Sequence, residues 1–198
     1  MTIINQSFYA QPTLTVAREL LGQRLVREID GQRLSAQIVE TEAYIGPTDT
    51  ACHASKGRTP RTEVMFGPPG RAYVYLVYGM HSMLNLVTEA ENFPAAVLIR
   101  AVVPVEGIDT MRVNRHLKNP QSENLTNGPG KLCQALAIDR TLNNWDITLG
   151  KQLWIERDDP IADNLIVTGP RIGVDYAEPK DRAAPWRFWL EGSEFVSK

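Results

Sequence analysis

Arg24-Leu25-Val26-Arg27-Glu28-Ile29-Asp30-Gly31-Gln32-Arg33-Leu34-Ser35-Ala36-Gln37-Ile38-Val39-Glu40-Thr41-Glu42-Ala43-Tyr44 holds two runs rich in aliphatic residues, separated by Asp30-Gly31. An Asp-Gly pair supplies the positive φ that a tight hairpin turn needs. The stretch therefore predicts two antiparallel strands, Arg24 to Ile29 and Arg33 to Tyr44. In the second strand Leu34, Ala36 and Ile38 share one face, because successive side chains alternate. If that alternation runs on, Glu40 and Glu42 join them, and at least one carboxylate points toward apolar surroundings.

Upstream, Leu14, Ala17, Leu20 and Leu21 have helical spacing between Thr13 and Gly22, which predicts a short amphipathic helix capped by the threonine and stopped by the glycine. Downstream, Arg71 to Tyr78, Met83 to Thr88 and Ala95 to Val103 are strand-like and punctuated by Gly79 and Pro94. Val105 to Leu117 and Lys131 to Ile138 have helical spacing, Lys118 to Asn127 reads as a polar loop, and Gln152 to Glu156 and Arg187 to Leu190 read as late strands. The expected fold is α+β: a single compact domain over residues 1–198, with a curved, mostly antiparallel β-sheet flanked by helices. A chain of 198 residues that is 43% hydrophobic can bury one sizeable core and is short for two.

Cys52 and Cys133 are far apart and in no metal-ligand spacing, so neither a disulfide framework nor a zinc site is expected, and no metal or cofactor is implied. The first residues form no basic start followed by an apolar segment, and no run approaches the roughly 18 apolar residues of a membrane span. A soluble, intracellular protein is expected. The formal net charge of -2 argues against a general nucleic-acid binder. Charge is distributed unevenly, however: from His53 to His81 the chain carries Lys56, Arg58, Arg61 and Arg71 against Glu63 alone, while acids gather between Glu156 and Asp163. A local basic face can contact phosphates that the total conceals.

Four segments carry chemistry. Val39-Glu40-Thr41-Glu42-Ala43-Tyr44 puts two carboxylates and a phenol at a strand end. The ordinary alternative is a pair of solvated edge charges, but a carboxylate on an apolar face loses water and becomes a stronger proton acceptor, as a general base requires. Tyr73-Val74-Tyr75-Leu76-Val77-Tyr78-Gly79-Met80-His81 is an aromatic strand entering a glycine turn. Sheet packing accounts for Tyr73; Tyr75 and Tyr78 fall on opposite faces, and Tyr78 beside Gly79 is placed to project and to wedge between bases. Leu98-Ile99-Arg100-Ala101-Val102 buries a guanidinium in an apolar strand, which demands an acidic partner such as Glu42 or a site to reach into. Asn127-Gly128-Pro129-Gly130-Lys131 offers free backbone N–H groups and a lysine at a helix start, a weak anion cradle that plain helix capping explains equally well.

Taken in order, Val39-Glu40-Thr41-Glu42-Ala43-Tyr44-Ile45-Gly46-Pro47, Ala51-Cys52-His53, Thr59-Pro60-Arg61, Met65-Phe66, the Tyr73 to Met80 segment, Asn85, Leu98-Ile99-Arg100-Ala101 and Gly128 to Leu136 resemble the alkyladenine (3-methyladenine) DNA glycosylase family. The resemblance implies a monofunctional glycosylase that flips an alkylated or deaminated purine from double-stranded DNA, as a monomer, in the cytoplasm or nucleoid. It implies that Glu42 deprotonates the attacking water, with Arg100 and the carbonyl of Ile172 holding that water. Tyr44 and His53 stack on one side of the base and Tyr75 on the other; Asn85 rejects the 2-amino group of guanine, and Tyr78 fills the gap in the duplex. Arg58, Arg61, Arg71 and Lys131 are the expected contacts to the DNA backbone. Two other readings compete: a non-catalytic module that binds damaged DNA or RNA, and a small-molecule hydrolase with a glutamate base.

Overall fold

The computed structural model of the chain describes residues 2–117 and 123–197. In chain order these residues form α1 (Gln6–Tyr9), α2 (Thr13–Glu19), β1 (Arg24–Ile29), β2 (Gln32–Ile45), β3 (Ala72–Val77), β4 (His81–Val87) and β5 (Ala95–Glu106). There follow α3 (Ile108–Asn114), α4 (Pro129–Ala135), β6 (Leu153–Glu156), β7 (Ile166–Gly169), α5 (Pro179–Arg182) and β8 (Arg187–Leu190). The strands make one antiparallel sheet in the order β3-β4-β5-β2-β1-β6. Strand β2 is long enough to pair with β1 along its first half and with β8 over Glu40–Glu42, and β8 in turn pairs with β7. The fold is α+β, as expected.

The Asp30-Gly31 turn forms as read: both residues have positive φ, and Ile29 faces Gln32 across it. One face of the sheet carries the main core, in which Leu34, Ala36, Ile38, Val97 and Ile99 meet Val16, Ala17 and Leu20 of the α2 region and Leu132, Cys133 and Ala135 of α4. The opposite face carries a smaller cluster of Tyr73, Val87 and Ala96 with Cys52, Ala54 and Met65 from the short helical turns His53–Lys56 and Glu63–Phe66.

The strict alternation expected along β2 fails at one place, and the failure decides where the carboxylates go. Pairing runs Ile38 with Val102, then Glu40 with Ala101, then Thr41 with Ile99, so Val39 and Arg100 are each an extra residue in a locally irregular ladder. Such an irregularity re-aims the side chains beyond it. Ile38 and Ala43 both belong to the main core, while Glu40 and Glu42 turn to the other face instead of continuing the Leu34-Ala36-Ile38 series. Both carboxylates are nonetheless fully buried, at 0% exposure.

Three local expectations are corrected. Thr13 is the first residue of α2 rather than its cap; Pro12 holds the cap position, and the Thr13 hydroxyl bonds to Glu89 and Thr88. Residues Val105 and Glu106 extend β5 because Glu106 still pairs with Ser35; Gly107, at φ 72°, separates that strand from α3. Helix α4 opens at Pro129, two residues earlier than the lysine, since proline at a first helical turn forfeits no hydrogen bond. Strand β7 and the four-residue helices α1 and α5 were not anticipated. The polar loop expected from Lys118 lies outside the described residues over 118–122.

Thr41, between the two glutamates, donates its hydroxyl to the Ala17 carbonyl at 2.7 Å. That carbonyl lies in the last turn of α2, where Leu21 N–H turns to Arg18 instead. Thr41→Val keeps the shape and leaves the carbonyl unpaired in the core. The expected loss is about 1–3 kcal/mol, read as a lower urea midpoint with an unchanged slope; an unchanged midpoint would remove this bond from the forces that seat β2.

Candidate active site

The two faces of β2 and β5 differ in chemistry because the irregular pairing gathers charge on one side. Arg100 places Nη1 3.2 Å from Glu42 Oε1 and Nε 3.3 Å from Glu40 Oε1. Glu40 also accepts from Arg187 Nε at 2.6 Å, from the Ser197 amide at 2.7 Å and from the Ser197 hydroxyl at 2.8 Å. Two carboxylates and two guanidiniums therefore neutralise one another, as buried charges must. The expected pairing of Arg100 with Glu42 is present. Arg187 and Ser197 were not expected here; Arg187 comes to Glu40 through the Glu40–Trp189 and Glu42–Arg187 pairings of β2 with β8, a long-range match that no local pattern announces.

Glu42 is held on both oxygens. Oε1 accepts the Ile172 N–H at 2.7 Å besides Arg100, and Oε2 accepts the Tyr44 hydroxyl at 2.8 Å. Burial, and then the neighbouring Glu42 charge, push the Tyr44 phenol well above its ordinary value, which keeps it protonated as that donor. The Ile172 group in contact with Glu42 is its amide nitrogen, whereas the resemblance implied a part for its carbonyl.

In front of this cluster lies a cleft of about 580 Å³, within the roughly 300–1,000 Å³ usual for small-molecule sites. Its walls include Tyr44, His53, Tyr75 and Asn85, all expected around a base, together with Arg61, Tyr78, Arg100 and Ile172. Glu42 itself lies behind three of these, Tyr44, Arg100 and Ile172, each bonded to it. Asn85 is pinned at 4% exposure by its Nδ2, which donates to the Tyr73 carbonyl at 3.2 Å. Tyr176, missed in the sequence, also lines the cleft, with its hydroxyl donating to the Ala51 carbonyl at 2.8 Å.

The rings are closer than a base sandwich requires. His53 meets Tyr75 edge-on, with centroids 4.6 Å apart at 74°, and Arg61 lies 5.0 Å from the Tyr75 centroid and 3.4 Å from His53 Nε2. A planar guest between His53 and Tyr75 must displace one of these groups. His53 Nδ1 lies 3.0 Å from the Tyr73 hydroxyl. Burial first, then Arg61 and Lys56, push the imidazole down to about 4.

Tyr78 stands at the tip of the β3–β4 turn, where it has φ 52° beside Gly79 at φ 69°, and the Met80 N–H closes the turn on the Val77 carbonyl. Tyr78 is 87% exposed, and Met80, two residues on, is 74% exposed. Of the basic residues expected at the backbone of DNA, Arg61 reaches the cleft. Arg58 is paired with Glu63 and lies over the Phe66 ring, Arg71 is 3.4 Å from Asp146, and Lys131 is held by Asn124 and Asn127 at 2.7 Å each. Among the described residues no three His, Cys, Asp or Glu side chains converge as metal ligands would, and no helix is long and apolar enough to cross a membrane.

The pattern of the Methylpurine-DNA glycosylase family matches residues 7–194. A chain of Methanocella arvoryzae, named "Putative 3-methyladenine DNA glycosylase", is 53% identical over 198 residues, spanning 100% of this chain and 97% of its own. Chains of the same name from Desulfitobacterium hafniense and Myxococcus xanthus are 50% and 51% identical, spanning 100% of this chain and 99% and 95% of theirs. Full-length likeness at this level, over a cleft built as described, sets aside both the non-catalytic module and the small-molecule hydrolase: the chain belongs to the methylpurine-DNA glycosylase family and is a DNA glycosylase, an enzyme of DNA repair.

Proposed function

We propose that this enzyme acts as a monomer on double-stranded DNA containing damaged purines, flips 3-methyladenine, and also hypoxanthine, ethenoadenine or 7-methylguanine, into the cleft and cuts the N-glycosidic bond with water activated by Glu42. The observation that carries this reading is the buried Glu42 carboxylate, fixed by Tyr44, Arg100 and Ile172 behind an aromatic cleft. Oε2 has one protein donor and Oε1 has two, so Oε2 is the oxygen with room for a water and its proton. The water oxygen attacks C1′, Glu42 takes its proton, and the electron pair of the broken C1′–N bond leaves with the base. A cationic alkylpurine is neutralised by that pair, which makes it the better leaving group. Arg100 and the Ile172 carbonyl hold the water, and the carboxylate charge favours the oxocarbenium-like sugar.

Tyr44, His53 and Tyr75 receive the base. Stacking returns about 1–3 kcal/mol per base against the few kcal/mol of unstacking, a balance that favours bases already weakened in the duplex. Asn85, pinned by the Tyr73 carbonyl, cannot swing aside for a 2-amino group. Arg61 follows the backbone of the flipped nucleotide, with Arg71, Lys131 and Arg58 further out, and the enzyme works inside the cell on the nucleoid.

Glu42→Gln keeps size and hydrogen bonding but accepts no proton. Single-turnover base release from methylated duplex DNA is expected to fall by about 10² to 10⁴ fold with lesion binding retained; full activity would end the general-base reading. Glu40→Gln differs, because it disturbs a carboxylate bonded to Arg100, Arg187 and Ser197, and its first effect is a lower melting temperature.

Replacing Tyr78 by alanine should leave the melting curve intact, since the ring is largely in water, and should make the flipped state less stable. A fluorescent base opposite the lesion reports this, and unaltered extrusion would take Tyr78 out of the wedge role.

With His53 near 4, the imidazole is neutral in the cleft at physiological pH. Lesion affinity measured in the wild type and in His53→Gln should therefore show no His53-dependent change between about pH 6 and 8. A step centred near the ordinary histidine value of 6.5, present in the wild type and lost in the variant, would show that the ring titrates as in water.

A further inference from the structure

One buried ion pair beside the cleft is not used by the chemistry above. The Arg171 and Asp49 side chains are both fully buried and meet through two bonds, Nη1 to Oδ2 at 2.6 Å and Nη2 to Oδ1 at 2.8 Å. Nη1 also donates to the Ala43 carbonyl at 2.9 Å, and Nη2 to the Asp181 carbonyl at 3.1 Å. The guanidinium lies 4.7 Å from the Tyr44 centroid and 5.0 Å from that of Trp186. Asp49 completes the joint by accepting the Ile45 and Ala51 N–H groups at 3.1 and 3.0 Å.

The placement of these contacts is informative. Ala43 separates Glu42 from Tyr44, and Arg171 directly precedes Ile172. One guanidinium thus grips the backbone between the carboxylate and its phenol donor, lies against the ring of that phenol, and carries the amide donor as its neighbour in the chain. These two donors serve different oxygens of Glu42. A lysine could supply the charge but neither the paired donors nor the flat contact with two rings.

We infer that Arg171, seated on Asp49, is a positioning residue for bond cleavage: it sets the Tyr44 hydroxyl and the Ile172 amide on the two oxygens of Glu42, and so fixes the direction in which that carboxylate takes its proton. The inference rests on Glu42 being the base, and a loop anchor without such a role would affect stability alone.

The test is a cycle of four proteins, the wild type, Glu42→Gln, Arg171→Lys and the double variant, assayed for single-turnover base release from methylated duplex DNA and for melting temperature. Arg171→Lys is expected to slow release by about 10- to 100-fold, the scale of a misplaced catalytic group, by more than it weakens lesion binding. The double variant is expected to be no slower than Glu42→Gln, because a residue acting only through Glu42 has nothing left to position. Leu153→Ala, in β6 at the far edge of the sheet, is the stability control and should melt earlier without slowing release. Wild-type rates in Arg171→Lys, losses that multiply in the double variant, or an equal slowing in Leu153→Ala would each overturn the positioning role. A fully active Glu42→Gln would instead overturn the base assignment, whatever Arg171 does. Should Arg171→Lys fail to fold, Asp49→Asn, which keeps size and weakens the same joint, takes its place in the cycle with the same expected pattern.

Discussion

A guanidinium taken out of water must be compensated wherever it goes, and Arg100 is compensated by carboxylates on both sides. Removing Arg100 would leave the buried Glu42 carboxylate without its cationic partner, at a typical cost of about 3–5 kcal/mol. That constraint ties β5 to β2 through Glu40 and Glu42, and through Glu40 it draws in Arg187 of β8 and the Ser197 segment. The sheet and the site are consequently one object. The same contacts that seat β8 against β2 also orient the arginine beside Glu42, so that carboxylate is held on buried strands paired along both edges.

Much of the architecture is legible in local pattern. The Asp30-Gly31 turn, the strand runs of β1 to β5 and the Arg187–Leu190 strand follow from turn chemistry and aliphatic spacing. The two-residue periodicity misleads at Val39, because an extra residue in β2 is answered by another at Arg100 in β5, and that compensation belongs to a pair of strands rather than to either one. The glutamates were rightly expected to lose water and wrongly expected to face the aliphatic core. For Thr13, the preference of threonine for a cap lost to Glu89 and Thr88, which are distant in the chain.

The site was legible unevenly for a related reason. Aromatic and charged residues clustered in one segment, such as Tyr73 to Tyr78, announce themselves, and family resemblance singled out Tyr44, His53, Asn85 and Ile172. Residues whose meaning lies in one distant contact do not. Arg171 is an unremarkable basic residue until Asp49 and Ala43 close around it, and Ser197 is one serine among several until it bridges Glu40 and Arg100. Basic residues conceal their partners as well. Arg58 and Arg71 look free in the sequence, whereas the fold gives each an acid of its own.

The turn at Tyr78 has a mechanical side. A bulky residue at φ 52° occupies a sparsely populated backbone region, and the root of the hairpin is braced by α4, where a methyl added at Gly130 would sit 3.2 Å from the His81 side chain. The tip is thus a tight turn that holds an exposed aromatic ring out from a braced hairpin root. If Tyr78 wedges between bases as proposed, it arrives on a turn already shaped by the fold, and the larger deformation is asked of the duplex. On that proposal, sites that deform easily give way to the ring, and the sound, well-stacked majority turn it aside.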